Sequence, residues 1–292
     1  MAKGAARRLR RLRLLCAVAA AAALIAPAPA LAGNAGPIYK HVSYGPSALE
    51  TATIYSQKGP NAPIVILVHG GGWRLQKTGT TEEGTESKAL QLQGFTVFNI
   101  DYDQDSPTQS AFPLETDEIA AASEWAIANA ASYGADPANV VMLGGSAGAQ
   151  LVARVAEQLD AAVPGTVRAV VSLSGPMNFS TLVQLAENKQ IKDKSYVFSI
   201  GQALGCSSSW SLCSPILEAE FSPALNIPAS GCPDWLLLSS EIDTTATLQA
   251  DEMLSDLEEA GCSASLSLVA KGHGFSYWGQ VTGRIFEFLR AE

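Results

Sequence analysis

A serine hydroxyl is a poor nucleophile until a base accepts its proton, and an imidazole acting as that base needs a carboxylate to fix its tautomer. Four stretches of this chain carry groups of those kinds, in the order Gly-rich loop, serine, acid, histidine. They are His69-Gly70-Gly71-Gly72, Ser146 within Gly144-Gly145-Ser146-Ala147-Gly148, the Glu241-Ile242-Asp243 turn, and Gly272-His273-Gly274. Consecutive glycines beyond a core strand are costly in chain entropy and mark a place where backbone approaches something closely. Backbone N–H groups in such a loop are the donors that the oxygen of a tetrahedral intermediate requires. The chemistry this set points to is acyl transfer through a covalent serine intermediate.

These residues need elements to hold them. Val140 to Leu143 is an apolar run suited to a buried parallel strand, and Ala149, Leu151, Val152, Ala153 and Val155 read as the helix that follows. A strand turning into a helix at G-x-S-x-G keeps its serine on a strained corner, with the positive end of the helix behind it. Further strands are predicted at Ile64–Val68, Phe95–Ile100, Arg168–Ser174, Trp235–Ser240 and Ser265–Val269. Helices are predicted at 85–93, 114–131, 246–260 and 277–289. This alternation predicts an α/β fold, a doubly wound and mostly parallel sheet flanked by helices, with its site at the strand carboxyl ends. Thr51 to Ser56 is predicted as an edge strand after a polar lead-in. Residues 177–234, with several prolines, form a long excursion.

Arg7, Arg8, Arg10, Arg11 and Arg13 form a basic n-region, Leu14 to Ala26 a short apolar run, and Ala30-Leu31-Ala32 a small-x-small cleavage site. Residues 1–32 are therefore predicted to be a signal peptide, 33–292 a single domain, and the product secreted, outside the cell or in its envelope, with no membrane anchor. Removing one lysine and five arginines takes the net charge from −9 to −15. Such a surface is poorly suited to nucleic acid or anionic membranes. Four cysteines remain, Cys206, Cys213, Cys232 and Cys262, enough for two disulfides. Cys206–Cys213 is favoured by proximity. Cys232–Cys262 is favoured because each precedes a strand and those strands should be neighbours. Three histidines and no CxxC spacing weigh against zinc.

Across residues 50–290 the chain resembles the α/β-hydrolase superfamily. HGGGW at 69–73, the DY pair at 101–102, FPLETDEIAAASEWA at 112–126 and GGSAG at 144–148 are similar to its hormone-sensitive-lipase and carboxylesterase-B side, and to small bacterial esterases of the feruloyl and acetyl type. The resemblance implies Ser146 as nucleophile, His273 as general base and the amides of Gly71, Gly72 and Ala147 as oxyanion hole. It implies Asp243 as the acid, with Glu241 as its substitute if the turn is shifted, and Asp251 as a solvated helix residue. His69 would be structural, His41 a surface or packing histidine. Trp73 and Trp278 either line the acyl pocket or pack in the core.

The chain also departs from that group: Gly145 stands where an acid is common, Ala149 replaces a glycine, and Asp103 replaces an arginine. Only about thirty residues separate Gly33 from the first core strand, too few for an N-terminal cap domain. Cover for the site must then come from 177–234. The implied activity is hydrolysis of a small-molecule or carbohydrate-linked carboxylic ester by a Ser-His-Asp triad, with no metal or cofactor. An amide-cleaving relative (arylformamidase or peptidase-like) and a non-catalytic binding domain are the alternatives.

Overall fold

The computed structural model describes residues 34–74, 83–104, 110–207 and 209–291. The proposed signal peptide lies outside them. Eight strands form one sheet: β1 (Ala35–Ser43), β2 (Thr51–Gln57), β3 (Ala62–Val68), β4 (Thr96–Ile100), β5 (Ala135–Gly145), β6 (Val167–Leu173), β7 (Asp234–Ser240) and β8 (Ala264–Val269). Their spatial order is β1-β2-β4-β3-β5-β6-β7-β8. From β4 to β8 every pairing is parallel, and β1 and β2 add an antiparallel margin.

The inner strands carry buried apolar runs, such as Ile64–Val68 and Val140–Leu143, because both sheet faces are covered there, whereas β8 at the far edge is half-exposed. Ile64, Ile66, Met142, Val170 and Leu237 point to one side, where they meet α2 (Leu114–Asn129), α3 (Ala147–Ala162) and α7 (Thr244–Glu259) through Ile119, Leu151 and Met253. Val65, Leu67, Val141, Leu143 and Leu236 point to the other, against Leu90 of α1 (Gly84–Leu92) and Val281 and Ile285 of α8 (Trp278–Ala291). The alternation within each run follows from the two-residue period of a strand. The doubly wound, mostly parallel architecture is the one expected.

One expectation is corrected. Thr51–Gln57 is not the sheet edge, because β1, taken from sequence as an irregular lead-in, pairs antiparallel outside it. The centre of β1 is exposed, its register shifts twice, and His41 within it has φ of 54°. A bulged, solvent-facing edge strand has no apolar alternation to announce it.

The excursion folds into α4 (Phe179–Glu187), α5 (Lys194–Ala203) and α6 (Pro215–Phe221), with 3-10 turns at Trp210–Leu212 and Pro223–Leu225. Each helix begins at a side-chain cap: Asn178 accepts from the Thr181 amide, Asp193 from Ser195 and Tyr196, and Ser214 from Leu217. Both expected disulfides are present, Cys206–Cys213 and Cys232–Cys262, with Cα separations of 5.0 and 5.6 Å. The second ties the segments leading into neighbouring strands β7 and β8.

Candidate active site

Ser146 sits between β5 and α3 with φ 55° and ψ −123°. Such backbone costs about 1–3 kcal/mol for a residue with a Cβ. Flanking burial offsets it: Val141, Met142, Leu143, Leu151 and Val152 are fully buried, each worth about 1.5–3 kcal/mol. The Ser146 amide donates to the Leu173 carbonyl at 2.8 Å, stitching the corner to β6. Gly148 is required by close approach, since a Cβ there would lie 2.3 Å from the His69 carbonyl oxygen. A Cβ on Gly70 would lie 3.0 Å from Ser146 Cβ, so the glycine loop runs directly beside the serine.

His273, on the loop after β8, brings Nε2 to 2.8 Å from Ser146 Oγ and Nδ1 to 2.5 Å from Asp243 Oδ2. An ionised carboxylate can only accept, so the neutral ring carries its proton on Nδ1 and Nε2 is left to accept from the serine. The imidazole is 50% exposed and the carboxylate 23%, so the far face of the ring stays open to an incoming ester. Asp243 also caps α7, accepting from the Ala246 amide. Burial pushes its carboxyl up, but the hydrogen bond and charge of His273, with the Ala246 amide, outweigh that. They hold the carboxyl below the usual carboxylate range.

The imidazole's own backbone is braced. Ser276 Oγ accepts from the His273 amide at 2.8 Å and donates to the His273 carbonyl at 2.7 Å. Ser240 Oγ, at the end of β7, donates to the Gly272 carbonyl at 2.6 Å. Tyr277 donates to the Leu238 carbonyl at 2.9 Å and meets Ser174 Oγ at the same distance. Sequence reasoning missed all of these. The i, i+3 spacing of His273 and Ser276 was the one capping signal available.

Gly71, Gly72 and Trp73 have successive φ values of 135°, 66° and 56°, and Ala147 is the buried first residue of α3. Trp73 is fully buried and does not line a pocket. Its indole N–H donates to Gln150 Oε1 at 2.9 Å, while Gln150 Nε2 donates to the Phe221 carbonyl at 2.9 Å. The Trp73 ring packs on Phe112 and Phe179, and Phe112 stacks on Phe221 at 4.2 Å. One buried glutamine therefore joins the glycine loop, α3 and α6. Trp278 is also core.

The other candidates fall away from the serine–histidine pair. His69 bonds the Gly70 carbonyl at 2.7 Å, stacks on Tyr102 and lies 3.9 Å from Asp101. His41, Glu241 and Asp251 are exposed. Asp103 donates its amide to Glu118 and accepts from Ser47. Burial, with Asp103, Glu50 and Asp117 nearby, pushes the Glu118 carboxyl up to about 7. Phe275 packs against Gly145, filling the space that a side chain at that position would need. Among the described residues no group of three or more His, Cys, Asp or Glu side chains is placed to hold a metal, and no helix is long and apolar enough to cross a membrane.

A family model described as BD-FAE matches residues 53–227. Carboxylesterase NlhH of Mycobacterium tuberculosis is 34% identical over 97 residues, 33% of this chain and 30% of the relative. The versiconal hemiacetal acetate esterase of Dothistroma septosporum is 31% identical over 131 residues, 41% and 37% of the two chains. The chain thus aligns with about a third of the length of these curated relatives. Among solved structures, a bacterial heroin esterase superposes with a TM-score of 0.71 at 20% identity, covering 87% of this chain and 82% of its own. An arylesterase gives 0.69 at 22%, covering 88% and 85%. A truncated carbohydrate esterase from gut microbiota gives 0.67 at 18%, covering 89% and 97%. These likenesses establish the α/β-hydrolase fold.

Proposed function

This chain belongs to the BD-FAE family, and from that premise we propose that it is a secreted serine hydrolase of carboxylic esters. The observation that carries the reading is the continuous hydrogen-bonded line from Asp243 through His273 to Ser146 Oγ, with separations of 2.5 and 2.8 Å. His273 Nε2 takes the hydroxyl proton as Oγ attacks the ester carbonyl, and Asp243 holds the tautomer and stabilises the imidazolium that forms. The amides of Gly71, Gly72 and Ala147 receive the developing oxyanion. His273 then returns the proton to the departing alcohol. A water activated by the same imidazole releases the acid and restores the serine.

The esterase names of the relatives agree with this chemistry. The half-open imidazole suits short-chain or bulky-alcohol esters, including carbohydrate-linked ones, better than long triglycerides. Residues 33–292 are taken as one catalytic domain exported by the 1–32 segment, a reading that two disulfides favour. A fluorophosphonate probe tests the core of the proposal. It should label the wild type and not Ser146→Ala, and an unlabelled folded wild type would exclude the serine mechanism. A panel of p-nitrophenyl esters of graded chain length, beside acetylated and feruloylated sugars, then ranks the substrates.

A further inference from the structure

The excursion between β6 and β7 lays one helix across the glycine loop. Asp193 caps α5 by accepting from the Ser195 and Tyr196 amides, which fixes where the helix begins. Arg74 bonds Ser195 Oγ at 3.3 Å, and the buried Ser199 side chain brings its Oγ to 3.0 Å from the Cβ position of Gly72. Residues three and four apart on a helix are neighbours, so Tyr196 flanks Ser199 on the face turned to Gly72. The Tyr196 ring is partly buried against the core that holds Trp73 and Phe179. Burial, and after it the charge of the Asp243 carboxylate, push the Tyr196 phenol far up, so it keeps its proton and can donate.

The fold does not use the Tyr196 hydroxyl. It bonds to none of the described residues, and it is not sealed from solvent. Asp243 has no call on it either, since Oδ2 is taken by His273 and Oδ1 by the Ala246 amide. The phenol thus stands between Gly72 on one side and the Asp243–His273 pair on the other. Once Ser146 Oγ has added to an ester, the tetrahedral carbon carries three further groups. The oxyanion turns to the glycine loop, the alkoxy oxygen to His273 Nε2, and the acyl carbon away from both. A donor lying between the first two directions faces oxygen and not the acyl chain. The oxyanion has the proposed amides of Gly71, Gly72 and Ala147, whereas the alkoxy oxygen has the imidazole alone.

We propose that Tyr196 is a further catalytic residue, its hydroxyl donating to the alkoxy oxygen of the ester as the alcohol leaves. The proposal rests on the esterase reading, but its test is separable from it. The step needs no second proton. The bond from carbon to the alkoxy oxygen breaks, its electron pair stays on that oxygen, His273 Nε2 supplies the proton, and Tyr196 keeps its own. Negative charge grows on the oxygen only as the bond breaks, so the hydrogen bond is stronger in the transition state than in the bound ester. A good leaving group spreads the charge through itself and needs that bond least. The test compares kcat/KM of the wild type and Tyr196→Phe, which keeps the ring and its packing, on p-nitrophenyl, phenyl, trifluoroethyl and ethyl acetate. The loss in the variant should grow along that series, as the departing alcohol becomes a weaker acid, and reach about ten-fold or more by its end. An equal loss on every ester would assign the hydroxyl to the oxyanion or to the fold, and no loss would leave it without a role; either overturns the proposal. A wild type that cleaves the series without a graded loss in the variant removes only the Tyr196 contact. A wild type that cleaves none of it removes the esterase reading and the contact together.

Discussion

The loops at the carboxyl ends of β3, β5, β7 and β8 touch the helical excursion at Gly72 and Ser199, yet the two regions are held by different means. In the loops, position comes from backbone: a serine at φ 55°, glycines where carbonyls crowd, and hydroxyls of Ser240 and Ser276 bonded to the main chain around His273. In the excursion, position comes from side chains: Phe179 and Phe221 packed on Phe112, and the Cys206–Cys213 closure. Backbone geometry tolerates little and suits reacting atoms. Side-chain packing can be redrawn without moving the sheet, and suits the part of a site that selects substrates.

The sharpest way to break this comparison is at the proposed triad. Ser146→Ala should lower kcat for p-nitrophenyl acetate by about 10³-fold or more while the melting temperature holds, since the site loses its nucleophile and no core contact. Asp243→Asn should follow at roughly 10³- to 10⁴-fold, the cost of presenting the wrong tautomer. Glu241→Gln, on an exposed side chain, should stay near wild type. Were Glu241→Gln the crippling change, the acid would have to be reassigned, and the backbone account of the site with it.

The same contrast explains what the sequence disclosed. Strands β3 to β7 were legible because burial on both faces leaves apolar runs such as Ile64 to Val68, and the half-exposed outer strand β8 because Leu266 and Leu268 alternate with serines. Ser146, Asp243 and His273 were legible as candidates because each closely follows a predicted strand. Gln150 was not: its hydrogen-bond partners Trp73 and Phe221 lie 77 and 71 residues away, and its only local trace is one amide in an apolar stretch of helix. The direction of the Trp73 ring was equally hidden, since it depends on φ of 56° at that residue. The disulfide pairing was legible because four cysteines and neighbouring strands leave few arrangements. β1 was not, because an exposed, bulged edge carries no pattern.

Next in size come the cross-links, one in each setting. Cys232–Cys262 spans 30 residues and Cys206–Cys213 spans 7. Loop-closure entropy values these at about 3.6 and about 2.3 kcal/mol. Replacing either pair with serines should lower stability to denaturant in that order. Equal losses of stability would mean that loop length does not set the contribution of either cross-link. Gln150→Leu is smaller, leaving a buried indole N–H and a carbonyl without partners at about 1–3 kcal/mol each. Because the lost bonds hold the glycine loop, kcat should fall about ten-fold while the fluorophosphonate probe still labels the protein.

The smallest effects are in pH, and two carboxyls should show opposite signs. Asp243 is held below the ordinary range by His273 in spite of its burial. Its contribution to stability is complete above the unfolded value, about 3.9, and is lost as pH falls through its lower folded value. Glu118 is pushed up to about 7 by burial and by its acidic neighbours. Its contribution is complete below the unfolded value, about 4.3, and is lost as pH rises through 7. Calorimetric melts of the wild type, Asp243→Asn and Glu118→Gln between pH 2.5 and 8.5 separate the two. The gap between wild type and Asp243→Asn should close only at the acid end. Glu118→Gln, which still accepts the Asp103 amide, should gain on the wild type as pH rises from about 4.3 to about 7, the gain levelling off above. Parallel curves for Glu118→Gln and wild type between about pH 4.3 and 7 would mean that the Glu118 carboxyl is already ionised in the fold there.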